Sequence, residues 1–126
     1  MRSVMHEQLN LKGLLYHLGK CDHSKPVYYD FGRLFPTDFD SYRGYYEQLA
    51  LGVSNGAHQH TAGTLFKAAK QCMGKIFTGY KGGDFLMTAT TPIWVDNVGD
   101  CTGTFLYGVH EGNGNVYLLT SKEMEY

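Results

Sequence analysis

Leu11, Leu14, Leu15 and Leu18 recur at the spacing of one helical face, with Asn10 placed to cap and Gly19 placed to terminate. The pattern predicts a short amphipathic helix over residues 11 to 19, with Gly13 weakening its propensity. A second apolar stripe, Leu65, Phe66, Ala69, Cys72 and Met73, follows a capping Thr61 and ends at Gly74, while Lys67, Lys70 and Gln71 lie elsewhere on the surface. It predicts a second helix. Between the two, Pro26 opens VYYDF (27 to 31), whose β-branched and aromatic content suits a strand. Gly32 through Asp40 reads as an ordered loop with Leu34, Phe35 and Phe39 turned inward. SYRGYYEQLALGV supports two periods: Tyr42, Tyr45, Tyr46 and Leu49 match a helix face, whereas Glu47, Leu49, Leu51 and Val53 alternate as in a strand. A strand over 46 to 53 is the favoured reading, followed by a loop at SNGAHQH.

After Gly74 the pattern turns β-like through KIFTGY, DFLMT, PIWVDN, GTFLYGV and NVYLLTS. EGNGN, between the last two runs, is a strong hairpin connection because Gly and Asn accept positive φ at little cost. These elements predict an α+β fold in which two helices cover one face of a mainly antiparallel sheet of five to six short strands. One domain is expected over residues 1 to 126, with an ordered body from about residue 9 to 121 and a frayed SKEMEY tail.

Composition narrows the class. With 43% hydrophobic residues the chain can bury one core, and no apolar run approaches the length of a membrane-spanning helix. A formal net charge of −1 provides no basic field for non-specific nucleic-acid binding. Cys21, Cys72 and Cys101 are widely spaced and odd in number, against a disulfide framework or a structural zinc site. MRSVMHEQLNLKG has no apolar core of an export signal, so a reducing cytoplasm is the expected compartment.

Two segments stand out as candidate binding surface. In SYRGYYEQ, Arg43 sits among Tyr42, Tyr45 and Tyr46, where a guanidinium beside aromatic faces can hold a nucleobase or an acidic partner. The structural alternative buries two of the tyrosines and pairs Arg43 with Glu47 or Asp40. In FTGYKGGDF, Gly79, Gly82 and Gly83 permit a tight turn between Tyr80 and Asp84, with Lys81 at the tip and backbone N–H groups able to form an anion nest. The alternative is a hairpin with no ligand, and the spacing is not that of a phosphate-binding Walker loop. Trp94 in PIWVDN lies on the face opposite Val95 as either core or a stacking platform.

Catalytic and metal signatures are weak. His58 and His60 lack a nearby Cys or carboxylate set, and Asp84, Asp96 and Asp100 each stand in a turn-forming context. Cys101-Thr102-Gly103 matches no nucleophile motif. No cofactor or metal is expected. Ten Tyr, seven Phe and one Trp are more aromatics than a core of this size needs, and Tyr-rich surfaces serve non-enzymatic binding. The surplus, with a β-rich second half that leaves a sheet edge to cover, also predicts a homo-oligomer, a dimer first.

KPVYYDFGRLFPTDFDSYRGYYEQLALG, GKIFTGYKGGDFLM and TPIWVDNVGDCTGT together resemble a group of small orphan proteins of tailed bacteriophages, over about residues 11 to 109. SYRGYY and FTGYKGG are the most specific parts. The resemblance implies a phage accessory protein of the host cytoplasm that counteracts bacterial defence by binding a host defence protein or nuclease complex, as anti-CRISPR inhibitors do. Sequestration of a cyclic nucleotide immune signal is one alternative. A small cytoplasmic hydrolase is the other, and it requires convergent acid and base groups.

Overall fold

The two helices form where the leucine and alanine periods place them. In the computed structural model, which describes residues 6–41, 48–56, 60–78, 83–96 and 103–122, helix α1 spans Leu11–Gly19 and helix α2 spans Ala62–Cys72. Asn10 Oδ1 accepts the Gly13 N–H at 2.8 Å to cap α1. Thr61 and Thr64 exchange side chain and backbone bonds at the start of α2, so a threonine completes the reciprocal cap that a Glu usually supplies. Leu11, Leu14 and Leu18 of α1 and Ala62, Leu65, Ala69 and Cys72 of α2 enter one common core.

Eight strands lie among the described residues: β1 (Val27–Tyr29), β2 (Phe35–Ser41), β3 (Leu49–Ser54), β4 (Ile76–Thr78), β5 (Asp84–Leu86), β6 (Ile93–Val95), β7 (Thr104–Gly112) and β8 (Asn115–Lys122). Six of them form a sheet in the order β1-β8-β7-β6-β3-β2, and β4 pairs with β5 apart. The α+β class holds, and the large sheet is mixed: three of its five pairings are antiparallel, while β1 runs parallel to β8 and β3 parallel to β6. Short strands brought together from distant parts of the chain carry no local signal of direction.

One correction concerns residues 35 to 40, part of the ordered loop expected over 32 to 40 and found within β2. Phe35, Thr37 and Phe39 alternate with Pro36, Asp38 and Asp40, which is a strand period carried by residues that an edge strand tolerates. A register shift between Pro36 and Phe39 accommodates the proline. Of the strand expected over 46 to 53, residues 49 to 53 lie in β3, so the helical alternative through Tyr42, Tyr45, Tyr46 and Leu49 does not hold at Leu49; residues 42 to 47 lie outside the described residues.

The core is aliphatic. Val27, Leu49, Leu51, Ile93, Leu106, Val116 and Leu118 of the sheet are buried against the helix leucines, and Tyr29 is the one aromatic among the buried core residues described. The sheet bends far enough for Tyr29, on edge strand β1, to donate its hydroxyl to carbonyls of β3, at 2.8 Å from Gly52 O and 3.1 Å from Leu51 O. The outer edge of β1 is covered, since Val27 N–H donates to His60 O and Tyr29 N–H to Leu34 O. No helix among the described residues is long and apolar enough to cross a membrane.

Candidate functional site

Several of the described aromatics that the core does not take, Tyr28, Trp94, Phe105 and Tyr117 among them, line the face of the sheet turned away from the helices. Val27 and Tyr29 of β1 and Val116 and Leu118 of β8 point to the core, so the intervening Tyr28 and Tyr117 point the other way. Tyr28 stands opposite Tyr117, and His110 of β7 stands opposite the same residue. The three rings therefore form one row across three strands, with centroids 6.3 Å apart for Tyr28 and Tyr117 and 6.5 Å for His110 and Tyr117. Phe35 adds a ring 5.2 Å from Tyr28, and Asn115 donates an amide hydrogen to the Tyr117 hydroxyl at 3.1 Å.

This row borders a concavity of about 780 Å3, closed on one side by the connection from β1 to β2. Gly32 and Arg33 in that connection both have positive φ, 64° and 54°, and Leu34 N–H donates to Phe31 O at 3.4 Å. Two consecutive left-handed residues make the turn of the I′ kind. Asp30 anchors its base: its N–H donates to Leu118 O, while its two carboxylate oxygens accept from the Thr120 N–H at 3.0 Å and the Thr120 hydroxyl at 2.6 Å. Arg33 is exposed and lines the concavity.

Of the sequence candidates, Trp94 lies on this same outward face, one strand beyond β7, rather than in the core. Its ring meets Phe105 edge-on at 6.1 Å and its indole N–H donates to Gln48 Oε1 at 2.6 Å. Gly83 has φ 84° with open space where a Cβ would stand, and Asp84 opens β5, exposed, accepting from the Thr78 hydroxyl at 3.4 Å. Tyr42, Arg43, Tyr45, Tyr46, Tyr80, Lys81 and Gly82 lie outside the described residues. Sequence reading missed Tyr28, Arg33, His110, Asn115 and Tyr117. The parity of VYY and NVYLL was the available signal for the two tyrosines.

Among the described residues, the groups available for covalent or metal chemistry are dispersed or held. Burial pushes the Cys72 thiol up to about 11, and burial followed by the nearby Glu111 charge raises that of Cys21. Both stay protonated at neutral pH and are poor nucleophiles. Both ring nitrogens of His60 are engaged, with Thr37 O and Thr64 Oγ1 each at 3.0 Å, and His58 is outside the described residues. Asp84 belongs to the two-stranded sheet and Asp96 follows β6 in the larger one; Asp100 is not described. Among the described residues no group of three or more His, Cys, Asp or Glu stands where it can hold a metal ion.

On the side of β7 opposite to His110, Glu111 accepts from the Asp22 N–H and from Lys25 Nζ, each at 3.0 Å, and these contacts, the backbone bond first, hold its carboxyl below the ordinary range. A depressed folded-state value means that the contribution to stability is complete above the unfolded-state pKa and disappears as pH falls through the folded one. Glu111→Gln should therefore melt below wild type at about pH 6, with the gap closing toward about pH 3 in a melting series. A gap independent of pH would show that the carboxylate charge is not what the contacts stabilise.

No family model, curated protein or solved structure matches the chain.

Proposed function

We propose that the protein is a non-enzymatic binding module that takes a small planar ligand in the concavity between the β1 to β2 turn and the β7–β8 ribbon. The observation that carries this reading is the row of Tyr28, Tyr117 and His110, three rings aligned across adjacent strands on a face that the core does not use. A flat ring laid along such a row gains stacking with successive side chains, and each tyrosine adds area at little rotamer cost. The volume of about 780 Å3 is that of a small-molecule site, for which roughly 300–1,000 Å3 is usual, and a protein partner would more often be met by a flat surface.

On this reading the anti-defence role implied by the phage resemblance is performed by sequestration, the protein withdrawing a signalling nucleotide in the host cytoplasm instead of covering a defence protein. The test is calorimetry with a panel of nucleosides and nucleotides, cyclic nucleotides included, on wild type and Tyr117→Ala. Binding should weaken about tenfold or more in the variant, the scale of losing one stacking ring, and the ligand should be recovered intact by chromatography. Turnover of the ligand would replace the reading with the hydrolase. Unchanged affinity in a folded Tyr117→Ala would remove the concavity from the site, and no binding by wild type together with retained phage protection would point to a protein partner.

A further inference from the structure

We infer that the ligand of this concavity is anionic and that Arg33 is the anchor for its charge, an inference that rests on the binding reading above. Arg33 occupies the second central position of the I′ turn, with φ 54°. Gly, Asn or Asp normally fill such a position, because a Cβ in the left-handed region crowds the backbone, and arginine there is a strained choice. Gly32, its neighbour, takes φ 64° without that cost.

Within the described part of the fold the arginine gains nothing in return. Its side chain is exposed and makes no ion pair or hydrogen bond with the described residues. The carboxylate nearest in sequence, Asp30, accepts from Thr120 on both oxygens. A strained residue whose side chain is unpaired and lines a concavity is placed there for what enters the concavity. A guanidinium presents a planar fork of donors that matches phosphate with two parallel hydrogen bonds, and its charge does not titrate away. Because Asp30 is on the same turn, the anionic group must meet Arg33 at the open end, with the ring of the ligand lying back along Tyr28 and Tyr117. The chemical class is a planar heteroaromatic ring carrying a phosphate.

The probes are the common ribonucleosides and their 5′-monophosphates, titrated calorimetrically at low ionic strength into the full chain. Wild type should bind at least one monophosphate about tenfold more tightly than its nucleoside, with the advantage shrinking as salt rises. Arg33→Gly should abolish that advantage and raise the melting temperature, because glycine relieves the turn. Arg33→Lys should retain part of the advantage. Equal affinity for nucleoside and monophosphate in wild type would overturn the anionic anchor while leaving the binding reading intact. Absence of binding by either probe class would remove that reading and the anchor with it. A preserved advantage in Arg33→Gly, or a lowered melting temperature, would also overturn the inference, the first by assigning the charge to another group and the second by making Arg33 structural.

Discussion

Leu118→Ala is expected to destabilise the fold by about 2–5 kcal/mol, the range for truncating a leucine in a core that cannot fully collapse. Leu118 is completely buried in the middle of β8, where Tyr29 of β1 pairs on one side and Val109 of β7 on the other. Its side chain enters the cluster that includes leucines of α1 and α2, so the void left by truncation would be bounded by several elements at once. The flanking Tyr117 and Leu119 face the concavity instead. Chemical denaturation should consequently reveal the full loss, whereas ligand affinity measured where the variant remains folded should stay near wild type. A loss under about 1 kcal/mol would mean that the helices close over the void.

Tyr29→Phe is expected to cost about 1–3 kcal/mol, because it removes the buried donor to the Gly52 carbonyl, while Leu51 O keeps the Asp96 N–H at 2.9 Å. The hydroxyl lies 2.8 Å from Gly52 O and 3.1 Å from Leu51 O, and it joins β1 to β3 although three strands separate them in the sheet order. Burial, with a smaller contribution from the Asp96 charge, raises its pKa well above the ordinary tyrosine value, so it remains a donor throughout the neutral range. Amide exchange should become faster at the β1 edge and around Gly52 before it does so in the helices. A variant as stable as wild type would indicate that water replaces the hydroxyl at those carbonyls.

Both helices were legible because a leucine or alanine face at helical spacing and a capping Asn or Thr are local signals, and they appear as Leu11–Gly19 and Ala62–Cys72. The β7–β8 hairpin was legible for a similar reason: Asn113 and Gly114 take φ 48° and 80°, the values for which those residues are suited. Strand β2 was obscured by Pro36, Asp38 and Asp40, which signal a loop in isolation and are tolerated once an edge is available. Parallel pairing of β1 with β8 was illegible, because no property of VYY identifies a partner some ninety residues later, as Val27↔Val116 requires. The concavity inherits that limit. Each tyrosine can be assigned a face from its own strand, but their alignment into one row exists only through the long-range register.

That pairing also governs when the molecule can acquire its function. Synthesis delivers α1, β1 and the remaining strands in order, and β1 has no ladder partner until residues 115 to 122 have left the ribosome. Tyr28 therefore waits for Tyr117, and the Phe31 to Leu34 turn waits for the β8 residue Thr120 to hold its base through Asp30. A nascent or truncated chain lacking β8 has neither half of the concavity in place, so the proposed ligand capture should switch on in a single step with the last strand. Folding of this kind is dominated by distant contacts and should be slow for the size of the chain. An interval of that length leaves the unpaired edge of β1 open to chaperones, which makes dependence on cellular folding factors a foreseeable trait of the protein.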